Sequence, residues 1–296
     1  MADPEAGIPF RKGHGTENDF VLLPDPDGAL ELTPERVRAL CDRRRGLGAD
    51  GVLRVVRAAA LRPAGSATSG SSADPGAEWF MDYRNAVGSV AEMCGNGLRV
   101  FARYLLEAGL AARDADLVVG TRGGPKRVWF GPDGEIAVGM GPVRLGGVSG
   151  ATVAGRRFPG LVVDVGNPHL ACVTDLPLDE LDLTAAPGYD PAVFPHGVNV
   201  EFLTPAQDGG IRMRVHERGV GETRSCGTGT VAAAAAALRH AGAGSGSLTV
   251  RVPGGRLRVE LVERGPGSPP EAVLTGPAVL VAQGELRADW WASLSG

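Results

Sequence analysis

A cysteine in a glycine-rich turn, directly before a helix-forming segment, occurs twice in this chain. One copy is Cys94-Gly95-Asn96-Gly97 and the other is Cys226-Gly227-Thr228-Gly229. The glycines allow a sharp turn and a close approach of the backbone to a ligand. An amphipathic segment follows the first copy and an alanine-rich segment follows the second. The sequence therefore predicts a cysteine at a helix N-terminus in each half of the chain.

The repetition continues beyond the cysteines. A Gly-Gly pair follows each cysteine at nearly the same interval, ending at Gly124 and at Gly255, and a Gly-Pro pair comes later, at Gly141 and at Gly276. The first half is longer by about the length of residues 62–78, a segment rich in Gly, Ser, Ala and Pro that predicts a flexible surface loop. This pattern indicates an internal duplication that produces two similar α/β halves.

Local patterns predict several elements of the first half. We expect a glycine-bearing turn over residues 12–20 that leads into a strand, a helix from the N-cap Thr33 to Arg45, and strands over residues 51–56 and 79–83. A turn over residues 85–89 and a helix from Leu98 to about Ala108 follow.

Composition excludes several classes of function. The 296 residues carry a net charge of -4, so the chain lacks the basic surface that nucleic-acid binding requires. The longest apolar stretch, residues 231–238, is much shorter than a membrane span, and residues 1–15 have no signal-peptide pattern. We expect a cytoplasmic protein that acts on a small molecule, with neither nucleic acid nor membrane as a partner.

The cysteine and lysine content narrows the chemistry further. The four cysteines have no metal-type spacing and no oxidising context, so we expect neither a metal site nor disulfides, and we expect Cys41 and Cys172 to pack in the core. Only Lys12 and Lys126 could form a Schiff base, which leaves a pyridoxal cofactor few places to attach.

Two cysteines at helix N-termini suit proton exchange on both faces of one carbon. A thiolate on one face removes a proton while a thiol on the other face delivers one, and the carbon inverts. Free cysteine titrates near about 8.5, so one partner has to be ionised while the other stays protonated. The helix N-terminus stabilises a thiolate and also binds a carboxylate. The pair thus predicts a cleft between two domains with Cys94 on one side and Cys226 on the other.

Four motifs together closely resemble the diaminopimelate epimerase family. They are Met93-Cys94-Gly95-Asn96-Gly97, Gly166-Asn167-Pro168-His169, Glu217-Arg218-Gly219-Val220-Gly221-Glu222-Thr223 and Ser225-Cys226-Gly227-Thr228-Gly229. The resemblance implies a cofactor-independent epimerase that interconverts LL- and meso-diaminopimelate, in the pathway to lysine and peptidoglycan. It also implies two pseudo-symmetric α/β (α+β) domains, each a mixed β-sheet or barrel around a central helix, and a homodimer. We expect residues 1–140 with 276–296 to form the Cys94 domain and residues 141–275 the Cys226 domain.

The resemblance also assigns roles to individual residues. It makes Cys94 and Cys226 the acid/base pair, and His169 and Glu217 groups that adjust the pKa values of these cysteines. The residues that match substrate-binding positions of the family are Asn18, Asn85, Gly95, Asn96, Asn167, Asn199, Glu217, Arg218, Gly227 and Thr228. Arginine suits the distal carboxylate of an amino acid that is zwitterionic at both ends, and glutamate suits its ammonium group.

This chain also departs from the family pattern. Where the family usually has Lys-Met-His-Gly-Leu-Gly-Asn-Asp-Phe, the chain has Gly13, Thr16 and Glu17, so that Glu17 replaces a glycine beside Asn18. Val87 stands where the family commonly has aspartate. All proposed catalytic groups remain.

Three alternatives fit parts of the pattern. Proline racemases and hydroxyproline epimerases also use two cysteines, but Asn96 stands where those enzymes tend to carry histidine. A thiol–disulfide switch is disfavoured because neither Cys94 nor Cys226 lies in a Cys-X-X-Cys motif. The third alternative is a catalytically silent binding paralogue.

Overall fold

The computed structural model describes residues 7–61 and 76–294, which form a mixed α/β structure. The strands of these residues are β1 (Ile8–Gly15), β2 (Asn18–Pro24), β3 (Gly51–Arg57), β4 (Trp79–Asn85), β5 (Leu117–Gly120), β6 (Lys126–Phe130), β7 (Ile136–Pro142), β8 (Arg144–Val153), β9 (Arg156–Asp164), β10 (Pro168–Val173), β11 (Asn199–Leu203), β12 (Gly210–Glu217), β13 (Gly221–Thr223), β14 (Gly246–Val252), β15 (Gly255–Val262), β16 (Glu271–Gly276) and β17 (Val279–Leu286). The helices are α1 (Pro34–Cys41), α2 (Gly95–Glu107), α3 (Gly227–His240) and α4 (Ala288–Ser293), and short 3-10 turns cover Ala58–Leu61 and Leu178–Glu180.

The chain divides into two compact units, each containing one long buried helix. The first unit takes its described residues from Met1–Gly15, Asp19–Ile136 and Ala278–Gly296. The second unit consists of Thr16–Asn18 and Ala137–Pro277. Helix α2 lies in the first unit and α3 in the second.

The first unit contains a mixed sheet. Strand β17 is antiparallel to β1, and β1 also pairs with β2. Strand β2 is parallel to β3, β3 is antiparallel to β4, β4 is parallel to β5, and β5 is antiparallel to β6. Helix α2 packs against β1, β3, β4 and β17. The sheet therefore surrounds this helix on several sides.

The second unit repeats the same series of pairings. Strand β8 is antiparallel to β9, and β9 to β10. Strand β10 is parallel to β11, β11 is antiparallel to β12, β12 is parallel to β14, and β14 is antiparallel to β15. The series continues through β16 to β7, and β13 forms a hairpin with β12. In each unit the long helix follows the fifth strand of the series, which is β4 before α2 and β12, with its hairpin partner β13, before α3, as an internal duplication requires.

Small side chains allow the second sheet to close around α3. The run from Ala232 to Ala237 is at most 3% exposed, and α3 packs against β9, β10, β11, β12, β14, β15 and β16. Alanine has the highest helix propensity and adds little width to the helix, so strands can approach from many directions. The mixed α/β class and the central helix predicted from the sequence are confirmed.

Several predicted boundaries are wrong by a few residues. Helix α1 is capped by Thr33 as expected but ends at Cys41 instead of Arg45, because Asp42 is extended and its carboxylate accepts the N–H groups of Arg44 and Arg45. Helix α2 begins at Gly95, three residues before the expected start.

The stretch expected to be a turn over residues 12–20 begins as part of strand β1, and only Thr16 and Glu17 form the turn. The predicted strands at 51–56 and 79–83 and the turn at 85–89 are confirmed. Most of the loop predicted over 62–78 lies outside the described residues. Within 7–61 and 76–294, no helix is long and apolar enough to cross a membrane.

Candidate active site

Cys94 is the N-cap of helix α2. Its backbone is extended (φ -142°, ψ 118°), and its Sγ accepts the N–H of Gly97 at 3.3 Å. The side chain is only half-buried, and the fully buried Arg99 lies one turn further along the same helix. Burial lowers the pKa of Arg99 to about 10, while the negative charge available at Cys94 opposes this shift. The thiol of the first unit is therefore placed near a buried cation.

Cys226 occupies the equivalent position on helix α3. Its backbone is also extended (φ -123°, ψ 120°), and its Sγ accepts the N–H of Gly229 at 3.4 Å. The Oγ1 of Thr228 lies 3.6 Å from the same sulfur, and the residue is only 7% exposed. Both predicted cysteines thus form the same cap, in which the sulfur receives an N–H from the residue three positions later.

The first helical residues provide further donors. Gly95 and Asn96 open α2, and Gly227 and Thr228 open α3. Backbone N–H groups in the first turn of a helix have no partner within the helix and carry the positive end of its dipole. Each cysteine therefore lies where an anion such as a carboxylate could bind.

The surroundings of Cys226 favour its protonated form. Burial raises the pKa of this thiol well above its usual value, and the negative charges of Glu217 and Glu201 raise it further. The hydrogen bonds from Thr228 and from the Gly229 N–H act in the opposite direction. The net effect raises the pKa of Cys226 and favours the thiol over the thiolate.

A chain of polar side chains leads from a buried strand to this thiol. His169 is 0% exposed, and its Nδ1 lies 2.6 Å from Oε1 of Glu201, which is also 0% exposed. Its Nε2 lies 3.0 Å from Oδ1 of Asn167, whose Nδ2 donates to Oγ1 of Thr228 at 3.4 Å. The structure thus brings His169, Asn167 and Thr228, all selected from the sequence, within reach of Cys226.

Sequence reasoning missed Glu201. It lies on β11 within the buried run Asn199–Leu203, and burial raises its pKa, with Glu217 adding to the rise and the paired His169 opposing it. The sequence pattern that could have identified Glu201 is a single carboxylate among apolar residues in a short strand. A charged group is rarely buried without a partner, so the pattern predicts a partner for the side chain.

A second group of predicted residues lies at the ends of β11 and β12. Oδ1 of Asn199 accepts the backbone N–H of Arg218 at 2.9 Å, and its Nδ2 donates to the carbonyl oxygen of Pro168 at 3.3 Å. The guanidinium of Arg218 donates to the carbonyl oxygen of His196 at 3.0 Å. Glu217 accepts the hydroxyl of Thr223. These contacts join Asn199 to Arg218, and Thr223 binds the neighbouring Glu217.

The turn before β2 accommodates the departure at Glu17. Thr16 and Glu17 both have positive φ, 51° and 62°. Residues other than glycine and asparagine rarely adopt this backbone conformation. The hydroxyl groups of Thr16 and Ser225 are 2.7 Å apart, and Glu17 forms an ion pair with Arg224. Asn18 follows directly and belongs with Thr16 and Glu17 to the second unit.

The other predicted positions are distributed as follows. Asn85 lies in the first unit, at the end of β4, and its Nδ2 donates to Oγ of Ser89 at 3.0 Å. Val87 is 67% exposed. Cys41 and Cys172 are buried, and burial raises the pKa of each to about 12, so their expected core packing is confirmed.

Comparison with known proteins identifies the family. The family model described as "Diaminopimelate epimerase" matches residues 10–146 and 161–281. The chain belongs to the diaminopimelate epimerase family. Relatives named diaminopimelate epimerase include those of Rhodococcus opacus (60% identity, 97% of this chain and 99% of the relative) and Mycolicibacterium smegmatis (56% identity, with the same coverages).

Solved structures with low sequence identity share the fold. A phenazine biosynthesis protein of the PhzF family from Bacillus anthracis has a TM-score of 0.69 at 16% identity and covers 95% of this chain and 99% of its own. A probable proline racemase from Agrobacterium radiobacter has a TM-score of 0.68 at 18% identity, covering 94% and 92%. The fold is therefore shared with a phenazine biosynthesis protein and with a probable proline racemase.

Proposed function

We propose that this protein interconverts LL- and meso-diaminopimelate by exchanging the α-proton between two cysteine side chains, in lysine and peptidoglycan-precursor biosynthesis. The family assignment supports the substrate. One observation supports the mechanism: Cys94 and Cys226 cap equivalent helices, and each sulfur receives one backbone hydrogen bond at 3.3 or 3.4 Å. No cofactor is needed in this mechanism, because the two sulfurs carry both proton transfers.

The charges around the sulfurs support a division of roles in the free enzyme. Buried Arg99 lies near Cys94, whereas burial and the carboxylate of Glu217 act on Cys226. We therefore assign the thiolate to Cys94 and the thiol to Cys226 before substrate binds. The thiolate removes the α-proton from one face while the thiol protonates the other, and the roles reverse for the opposite epimer.

The carboxylate beside the reacting carbon is assigned to the helix N-termini. Backbone N–H groups of Gly95 and Asn96, and of Gly227 and Thr228, can donate to it and stabilise the negative charge that develops in the transition state. His169 and Glu217 adjust the pKa of Cys226 in this proposal.

The far end of the substrate is also an amino acid. Arg218 is assigned to its carboxylate and Glu217 to its ammonium group. The remaining donors and acceptors for the substrate are the side chains of Asn18, Asn85, Asn167 and Asn199. We assign the enzyme to the cytoplasm, where this biosynthesis takes place.

We also propose a homodimer that uses strand β17. Val279 is 43% exposed and Val281 is 56% exposed, although both lie within a strand. Exposed β-branched residues on a strand are suited to packing against a second copy. Light scattering should report a dimer, and Val281→Lys should shift it toward monomer; if both proteins have the same mass as one chain, the proposal is wrong.

Incorporation of deuterium from heavy water tests substrate and mechanism together. Under reducing conditions, the wild type should exchange the α-proton of LL-diaminopimelate and form the meso epimer. Cys94→Ala and Cys226→Ala should each lose epimerisation by about a hundredfold or more, because each removes one acid/base group. Cys41→Ala, which alters a core thiol, is the control. Deuterium that enters only L-proline in a parallel reaction would overturn the substrate, and full activity in either active-site variant would overturn the mechanism.

A further inference from the structure

The buried carboxylate of Glu201 takes no part in substrate binding or proton transfer in the proposed mechanism. It lies on β11 at 0% exposure, and its Oε2 has no hydrogen-bond partner among the described residues. Removing a carboxylate from water is costly unless it is paired and hydrogen-bonded, and within the described part of the chain only Oε1 has a partner, His169. A Cβ placed on Gly229 would lie 2.7 Å from Oε1 of Glu201 and 3.3 Å from Sγ of Cys226. The carboxylate therefore lies directly under the first turn of α3.

The direction of the hydrogen bonds follows from the donor and acceptor types. Nδ2 of Asn167 donates to Thr228, so Oδ1 of Asn167 faces His169 and can only accept. Nε2 of His169 therefore carries a proton. Its other nitrogen, Nδ1, lies 2.6 Å from a carboxylate oxygen of Glu201, and two acceptors cannot be that close without a proton between them. Glu201 and His169 thus share one additional proton, and the pair has no net charge.

A Glu201–His169 pair without net charge also fits the surrounding titratable groups. The groups that interact with Glu201 are His169 and Cys172 on β10, Glu217 on β12 and Cys226 at the start of α3. A net negative charge at the pair would add to that of Glu217 and would oppose ionisation of Cys226. An ionised Glu201 raises the pKa of Cys226, and the proton shared with His169 cancels that contribution and leaves the one from Glu217.

We propose that Glu201 is a positioning residue: with His169 it holds one proton that orients His169, Asn167 and Thr228 so that each donates its hydrogen bond toward the sulfur of Cys226. Hydrogen bonds that point in one direction polarise one another. The arrangement stabilises the thiolate that forms when Cys226 delivers its proton to the substrate carbon. The catalytic consequence of this role rests on the proposed epimerisation. The orientation of the hydrogen bonds from His169 to Thr228 can be measured without substrate.

Two substitutions separate orientation from packing. In Glu201→Gln, the side-chain amide can donate to Nδ1 of His169 and keep the same orientation. In Glu201→Leu, the size is similar but no donor remains. Glu260→Gln, at an exposed position of β15, is the control. We expect kcat to fall about tenfold or more in Glu201→Leu with little change in KM, and to stay within about threefold of wild type in Glu201→Gln and Glu260→Gln.

Two measurements do not depend on turnover. Nitrogen-15 NMR of the imidazole should show a protonated Nε2 on His169 in the wild type and in Glu201→Gln. In the Cys94→Ala background, the pH midpoint for iodoacetamide labelling of Cys226, followed by mass spectrometry, should rise by about one unit in Glu201→Leu and not in Glu201→Gln.

The results separate the two proposals. An unprotonated Nε2 on His169 in the wild type, an unchanged midpoint in Glu201→Leu, or equal losses of kcat in the Leu and Gln variants would overturn the role of Glu201. A further outcome is that the NMR and labelling results are as expected while wild type does not exchange the α-proton of diaminopimelate. In that case the proposed function is wrong, but the proposed orientation of the hydrogen bonds is supported.

Discussion

Replacing Gly254 by alanine should destabilise the protein and disturb the segment beside Cys226. A Cβ on Gly254 would lie 2.0 Å from the carbonyl oxygen of Thr16, whereas ordinary van der Waals contact begins at 3.4 Å, so the backbone has to move by about 1 Å or more. The chain cannot retreat freely, because the N–H of Gly254 donates to the carbonyl oxygen of Arg224 at 2.9 Å.

The expected loss combines two effects. Overpacking against backbone atoms costs about 1–3 kcal/mol, and weakening the Gly254–Arg224 hydrogen bond costs about 1 kcal/mol. A total of about 3 kcal/mol should lower the unfolding midpoint by about 6–12 °C. Thr16 contacts Ser225, the residue before Cys226, so kcat/KM should fall as well.

Thermal and urea unfolding followed by circular dichroism measure the effect. Gly147→Ala is the matched control, since Gly147 is exposed, a Cβ added there would meet no atom within 4 Å, and its φ is not positive. Its midpoint should stay within about 2 °C of wild type. If Gly254→Ala loses no more stability than Gly147→Ala, the close approach at Thr16 does not constrain the fold.

Three further predictions concern single sites. Val87→Asp, which restores the common family residue, should change the free energy of unfolding by no more than about 0.5 kcal/mol, because Val87 is 67% exposed; urea unfolding checks this. The free energy of unfolding should fall as pH rises from 9 toward about 12, because buried Cys172 keeps its proton in the native state after the unfolded state has lost it; Cys172→Ala should show a smaller fall. Arg99→Gln should reduce kcat/KM by about tenfold, since it removes the buried cation near Cys94.

Different results would contradict each of these. A loss above about 2 kcal/mol in Val87→Asp would indicate a packing role for that side chain. An alkaline fall of equal size in wild type and Cys172→Ala would assign the pH dependence to other groups. Unchanged kcat/KM in a folded Arg99→Gln would show that the buried cation does not affect the reactivity of Cys94.

The two cysteine caps were predictable because their signals are local. A cysteine, two glycines and a helix-forming segment determine a helix end regardless of the rest of the fold, and both caps are found at Cys94 and Cys226. The duplication was visible for a related reason, since it depends only on repeated spacing. The class of fold followed from these two observations and from the family resemblance.

Other features depend on residues that are distant in sequence. The pairing of His169 with Glu201 results from the parallel register of β10 and β11, in which His169 lies opposite Asn199. No local pattern encodes that register. The end of α1 at Cys41 was not predicted because it depends on the carboxylate of Asp42. This carboxylate accepts the backbone N–H groups of Arg44 and Arg45 and so ends the helix before Arg45.

The exchange of final strands between the repeats affects how the chain can fold. Strand β8, the last of the first repeat, pairs with β9, and β17, the last of the second repeat, pairs with β1 near the start of the chain. The first unit is therefore incomplete until the last strand has been synthesised, although α2 and the strands β1 to β6 emerge from the ribosome much earlier. During translation the second unit can form all of its strand pairings first. One edge of β1 stays unpaired until β17 has been synthesised.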